Sequence, residues 1–335
     1  MKSSVAKLIT LILVVCTCFA ANTMAFDPDT KASYVRIIYQ GRDITLIYGE
    51  KFMPKEIASS NALAFSADGS QNEITLGGSL KWHGNWVDYL GPDGHSRIQD
   101  IVGIWTHPPE LCVTHLVPKA LEALDNGRVL IILLDGLSYY DLIYLKPSFL
   151  GSKNPKPART VFPPITPVAL GSILTGQLPP KNGITARGKR DLKVDDIFAL
   201  AGQMGKMSIL VEGSNKVINT SQVQLLNPDL NGDGSTDDEV FACALKHLAA
   251  GADLLFVHFH GYDDVAHSYG PQTPEAAAKL AELDQYVESL CAEFFGTVFV
   301  LADHGQHPTC GDKLGDHGEF CYLDMTIPWI SWEQP

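Results

Sequence analysis

From about residue 116 onward, short apolar runs alternate with helix-length stretches, and this alternation constrains the fold more than any other feature. RVLIILLDG ends on Asp135, and KMSILVEG, ADLLFVHFHG and GTVFVLADHG are further short runs bounded by glycine or polar residues. VPKALEALDNG, stopped by Gly127, precedes the first run; DDEVFACALKHLAAG and PEAAAKLAELDQYVESLCAEFFG lie between later ones. Strands that alternate with helices predict an α/β fold over residues 116–335, a mostly parallel sheet with helices on both faces. Ligands of such sheets bind beyond the carboxyl ends of the strands. Asp135, the stretch Asp263 to His267, and Asp303–His304 all fall at those ends.

Residues 26–115 read differently. YVRIIY and DITLIYG are β-branched and aromatic runs separated by QGR, a hairpin pattern, and no helical period follows. This is a β-rich N-terminal extension whose four histidines, His83, His95, His107 and His115, lack a metal-ligand spacing. Before it, Lys2 and Lys7 lead into the apolar run Leu8 to Ala20, with small residues suited to cleavage after Ala20 or Ala25. Residues 1–25 therefore read as a signal peptide and the chain as secreted, extracellular or periplasmic. The run is shorter than the roughly 20 residues a bilayer span needs, so no stable membrane span is expected in the mature chain.

The chain has 38 Asp and Glu against 25 Lys and Arg, a formal net charge of −13, which leaves no basic stripe for a nucleic-acid polymer. A small phosphorylated substrate is still compatible, since bound cations can invert the local sign of a site. Five cysteines follow the signal: Cys112, Cys243, Cys291, Cys310 and Cys321. Cys310 and Cys321 are near enough in sequence for a bridge.

Each polar cluster alone has a plain structural reading, as a turn-forming Asp or a surface Asp–His pair. Together they supply what a two-metal centre requires. Asp and His suit zinc and similar divalent ions, and two ions need about six protein ligands. Asp135, Asp263, His267, Asp303, His304 and His317 make six; His307 competes with His317 for the last place. Asp263 and His267 are four apart, which puts them on one face of a helical turn. Thr166 precedes Pro167, placed to start the helix PVALGSILTG, so its hydroxyl would lie at a helix N-terminus that favours a phosphoryl group. Without the metal ligands it would be read simply as an N-cap. DLNGDGSTDDEV resembles a calcium loop, but Val240 occupies the place of the bidentate Glu, so an Asx-rich turn is the better expectation.

The ordered set Asp135, Thr166, DDVAH, DHG and GDHG resembles the alkaline phosphatase superfamily, and most nearly its type I phosphodiesterase/nucleotide pyrophosphatase branch, over residues 128–335. The resemblance implies one metal held by Asp263, His267 and His317, and another by Asp135, Asp303 and His304, with Thr166 reaching the second. It implies a metal-dependent hydrolase of phosphate esters that passes through a phosphothreonine. The ions are expected to be zinc, with manganese or magnesium as alternatives. Where pyrophosphatases of that branch carry an Asn after GI, this chain has Arg187, whose guanidinium suits a doubly charged monoester. Phosphomonoester or phosphonate hydrolysis on the same site is therefore the alternative. A sulfatase would need a C/S-x-P-x-R setting that is absent here. A non-catalytic, metal-stabilised binding protein is the alternative from another class.

Overall fold

In the computed structural model, which describes residues 34–47, 62–74, 78–83 and 86–335, a seven-stranded sheet carries residues 116–335. The proposed signal peptide lies outside the described residues. Across the sheet the strands run Lys156–Arg159, Thr326–Gln334, Gly296–Leu301, Val129–Leu134, Leu254–Phe259, Ser208–Glu212, Gln224–Leu226. The last five are mutually parallel, and Thr326–Gln334 pairs antiparallel with both of its neighbours. The mostly parallel α/β architecture expected from the alternation is present.

Every residue of Val129–Leu134 and of Leu254–Phe259 is buried, as befits central parallel strands covered on both faces. Leu116–Asn126, Ile197–Gln203 and Thr166–Thr175 form one group of packed helices, and Asp237–Ala249, Gly261–Tyr269 and Pro274–Ala292 another. The longest begins as its sequence dictates: the Thr273 side chain accepts from Ala276 N–H, and Pro274 occupies the first turn.

The β-rich extension forms its own five-stranded sheet, Arg42–Ile47, Tyr34–Tyr39, Ile101–Thr106, Ala62–Ser66, Gln71–Ile74, with a separate three-stranded sheet of Ser79–Trp82, Val87–Leu90 and Ser96–Ile98. The expected hairpin pairs Tyr39 with Arg42 across Gln40 and Gly41, both at positive φ (50° and 72°), a geometry that matches strand twist. Ile38, Phe65 and Trp105 pack with Phe162, Phe320 and Met325, and Arg36 pairs with Glu319 at 2.7 Å. Among the described residues the extension thus adds no strand to the main sheet. It braces the two segments that lead to Thr166 and away from His317. Cys310 is exposed and Cys321 buried, and both are free, so the contemplated bridge does not form.

Candidate active site

Four neighbouring strands end in acidic residues or histidine: Gly296–Leu301 leads to Asp303 and His304, Val129–Leu134 to Asp135, Leu254–Phe259 to His260, and Ser208–Glu212 ends on Glu212 itself. Apolar strand interiors leave these polar residues at one edge of the sheet, where the loops converge. Asp135 is held there by its N–H to the Phe259 carbonyl, and Gly136 N–H bonds Asp303 Oδ1 at 3.2 Å. Gly136 has φ +74°, and a Cβ there would come within 2.5 Å of Asp263 Oδ1, so this turn requires glycine for the carboxylates to converge.

Ligand atoms of Asp135, Asp303 and His304 lie within 4.8 Å of one another, and so do those of Asp263, His304 and His317. His267 Nε2 is 3.3 Å from Asp263 Oδ2, and His317 Nε2 is 3.9 Å from Asp263 Oδ1. The structure therefore brings the six residues close together: Asp135, Asp303 and His304 form one group as expected, whereas His304 takes the place of His267 beside Asp263 and His317. Asp316, which the motifs did not single out, joins His267 and His317.

The histidine orientations are informative. His267 Nδ1 bonds the Gly315 carbonyl at 2.8 Å, His317 Nδ1 the Pro164 carbonyl at 3.0 Å, and His304 Nδ1 the Gly305 carbonyl at 3.1 Å. A carbonyl only accepts, so each Nδ1 carries the hydrogen and each Nε2 a lone pair in the neutral ring. Those lone pairs face carboxylates: His304 Nε2 lies 3.2 Å from Asp303 Oδ2 and 3.5 Å from Asp135 Oδ1. A cation suits the space between facing acceptors, and protonation of two of the rings is disfavoured: burial holds His304 below the usual imidazole range and, with His304 beside it, pushes His317 down to about 4. Burial, with Asp135 and Asp263 adding their charge, also drives the Asp303 carboxyl well above its ordinary value. Asp135 Oδ1 and Asp303 Oδ2 are buried with no hydrogen-bond partner among the described residues. Unsatisfied carboxylate oxygens opposite oriented imidazole lone pairs fit divalent ions.

Thr166 is the first residue of the helix Thr166–Thr175 and is partly exposed. The N-cap role, the plain alternative for Thr166, belongs to Ile165, whose extended backbone (φ −133°) lets its carbonyl accept from Val168 and Ala169, so the helix starts one residue before Pro167. Thr166 Oγ1 bonds His304 Nε2 at 3.2 Å. It also borders a cavity of about 430 Å³ whose other walls include Ser214, Asn215, Asp264 and His260. Arg187 is exposed and makes no hydrogen bond or ion pair among the described residues, yet its charge contributes to lowering His304.

His307, the competitor for the sixth position, is elsewhere. Its Nδ1 pairs with buried Asp324 Oδ1 at 2.8 Å. Burial opposes its charge, but Asp324 prevails and raises His307 to about 9. A folded value above the ordinary 6.5 stabilises the protein fully below that pH and is lost as pH rises through about 9. Roughly 3 kcal/mol is at stake by linkage. Urea titrations of metal-free protein should show wild type losing more stability between pH 6.5 and 9 than His307→Asn; equal losses would remove this assignment.

The calcium-like loop closes on itself through Asx turns, with Asp229 accepting from Gly232 and Gly234 N–H and Asp233 from Ser235 N–H, while Val240 is buried in the core. Sequence reasoning passed over Glu212, His258 and His260, which contact Asp135 or one another. The only local signal was the histidine alternation in VHFHG.

Sheet topology and this ligand geometry define an alkaline-phosphatase-like fold. Residues 204–325 match the family described as Type I phosphodiesterase / nucleotide pyrophosphatase. Murine ectonucleotide pyrophosphatase / phosphodiesterase 5, in an inactive form in complex with AMP, superimposes with a TM-score of 0.50 at 15% identity, covering 61% of this chain and 87% of that one. The human GPI ethanolamine phosphate transferase 3 catalytic subunit is 42% identical over 66 residues, 19% of this chain and 6% of that protein. The Schizosaccharomyces pombe GPI ethanolamine phosphate transferase 3 is 28% identical over 112 residues, 32% of this chain and 11% of that protein. The matched segments are thus a small part of those curated relatives. Over residues 204–325 the chain resembles the type I phosphodiesterase / nucleotide pyrophosphatase family, and its fold is similar to that of the murine phosphodiesterase. Among the described residues no helix is long and apolar enough to cross a membrane.

Proposed function

We propose that the chain is an exported, two-metal hydrolase of phosphate esters, of phosphodiesterase/nucleotide pyrophosphatase type, that uses Thr166 as nucleophile. The observation that carries this reading is the set of imidazole Nε2 atoms and orphaned carboxylate oxygens aimed at the same space, with the Thr166 hydroxyl at its edge. Asp263, His267 and His317 would hold one ion, and Asp135, Asp303 and His304 the other. Zinc is the expected metal, because carboxylate and imidazole suit it. Bound there, the ions would supply the positive charge that lowers the pKa of the threonine hydroxyl and offsets charge on the phosphoryl oxygens.

The chain's own groups do the rest. Thr166 Oγ1 lies 3.2 Å from His304 Nε2, so the hydroxyl stands beside the ligands that would hold the second ion. Oγ1 gives up its proton to solvent and forms a bond to phosphorus as the ester bond on the opposite side breaks; the departing oxygen takes a proton from water, and a phosphothreonine is left. Water then attacks phosphorus, the bond to Oγ1 breaks, and Thr166 is regenerated. Substituents of the substrate would occupy the cavity beside Thr166, whose walls are largely hydroxyl, amide and carboxylate groups.

Paired hydrolysis of p-nitrophenyl phosphate and bis-p-nitrophenyl phosphate by zinc-loaded and chelated protein tests the reading. Zinc-dependent cleavage of either supports a phosphoesterase; cleavage of neither, with zinc bound, moves the assignment to phosphonates or to a binding protein. Arg187 refines it. Its guanidinium is unpaired among the described residues and near enough for its charge to be felt at His304, which favours a monoester on the same site as the second reading. Arg187→Ala should then lower kcat/KM about tenfold for the monoester and little for the diester, the scale of one charge-assisted contact. Equal losses on both would remove its discriminating role.

A further inference from the structure

A group of metal-ligating side chains lies apart from the centre described above, beside the contact with the N-terminal sheet. His307 comes from the short strand His307–Pro308, Cys321 precedes the helix Tyr322–Met325, and Asp324 lies within it. Ligand atoms of the three fall within 4.8 Å of one another. They meet at one ring nitrogen: His307 Nδ1 is 2.8 Å from Asp324 Oδ1 and 4.0 Å from Cys321 Sγ. The place is enclosed, with Asp324 0% and Cys321 4% exposed.

The chain holds each donor in position. Asp324 Oδ2 accepts from Glu319 N–H at 2.9 Å, which leaves Oδ1 to the cluster. Glu319 Oε1 faces the other ring nitrogen, Nε2, at 4.0 Å, the side on which an outer carboxylate orients a ligating imidazole. Arg36 of the N-terminal sheet pairs with that same Glu319 at 2.7 Å, and Asp43 Oδ1 accepts from Tyr322 N–H at 2.8 Å.

An ion pair of His307 and Asp324 accounts for two of the three groups and gives the thiol no part. Burial, with Asp324, Asp43 and Glu319 adding their charge, pushes the Cys321 thiol well above its ordinary value, so it keeps its proton until a cation arrives. Sulfur, nitrogen and oxygen donors together suit zinc, whereas calcium and magnesium take oxygen. Tetrahedral zinc, with nitrogen and oxygen near 2.0–2.1 Å and sulfur near 2.3 Å, has ligand-to-ligand edges of about 3.3–3.6 Å. The observed 2.8 and 4.0 Å fall within about 0.5 Å on either side of that range, a gap that small side-chain rotations close.

We propose that His307 Nδ1, Cys321 Sγ and Asp324 Oδ1 form a structural site for an ion of the zinc class, sharing no ligand with the two-ion centre. Thiolate and carboxylate together neutralise one divalent ion. Binding releases two protons to solvent, one from the His307 imidazolium and one from the Cys321 thiol. The ion would tie His307 to Cys321 and Asp324 and so close the segment between them, which carries His317.

Cobalt(II) is the probe, because a cobalt–thiolate bond absorbs in the near ultraviolet and the Asp and His ligands of the two-ion centre contain no sulfur. Metal-free protein titrated with cobalt should develop that charge-transfer band. By plasma mass spectrometry it should then hold one ion more than Cys321→Ser, which should lack the band. Cys310→Ser, which alters the exposed cysteine, should keep both. Anomalous scattering at the zinc edge from zinc-loaded wild-type crystals supplies a readout independent of whether the variants fold: a peak between His307, Cys321 and Asp324 is expected. No band and no such peak, with ions at Asp135 and Asp263, would overturn the site and leave the functional reading intact. A band kept by Cys321→Ser or lost in Cys310→Ser would put the thiolate elsewhere and overturn it as well. The band and peak here without ions at Asp135 and Asp263 would keep this site and remove the two-ion centre instead.

Discussion

Thr166→Ala should reduce kcat for any phosphate ester by at least about 1,000-fold while metal content and fold are unchanged, the scale seen when a nucleophile is deleted. The expectation follows from position. Thr166 is partly exposed at the start of a helix whose remaining residues are buried, and among the described residues its hydroxyl bonds only His304. Alanine suits a helix at least as well as threonine, so stability should move by no more than about 1 kcal/mol. The backbone that carries the helix start is anchored by Ile165, not by the threonine hydroxyl. A loss of turnover with the melting curve and zinc content preserved would therefore report chemistry rather than folding. Thr166→Ser should retain part of the rate, since the attacking oxygen remains. Full turnover in Thr166→Ala would eliminate the phosphothreonine.

Chelation should have the second large effect, abolishing hydrolysis and lowering Tm by several degrees. Burial, with the charges of Asp135 and Asp263 beside it, drives the Asp303 carboxyl well above its ordinary value, a cost that bound cations would relieve. Ions that bind only the folded chain stabilise it by mass action, about 4 kcal/mol when free metal exceeds Kd a thousandfold. For a chain of this size that corresponds to a rise of several degrees. Returning zinc should restore both rate and Tm. Calorimetry and turnover measured across one zinc titration would check this; a chelator that changed neither would exclude metal ions from the centre.

How far the sequence reaches can be judged residue by residue. Asp135, Asp303 and His304 were legible because each follows an apolar run that must be a buried strand, and the first polar residue after such a run lies at its end. Asp263 and His267 were legible because their spacing of four places both on one face of the helix Gly261–Tyr269. Thr166 was located by Pro167 and the helix behind it, though the cap proved to be one residue earlier. His317 and His307 were not separable by spacing: they are ten residues apart, and only the folded loop sends one to Asp263 and the other to Asp324. Glu212 offered no signal, because an acidic residue closing a strand is common and its partners are distant in the chain.

By itself, then, the sequence determined the strand–helix alternation, the end of the sheet where chemistry would gather, and the ligand types present there, all of which follow from local period and side-chain chemistry. Only the tertiary structure decided the partnerships. His258 and Glu212 are 46 residues apart, and His260 and Asp135 are 125 apart. They meet because Val129–Leu134, Leu254–Phe259 and Ser208–Glu212 pair in one register in that spatial order. The docking of the N-terminal sheet against Phe162 and Phe320 is of the same kind. Strand order and register are set by burial summed over the whole sheet, so no local window of residues contains them.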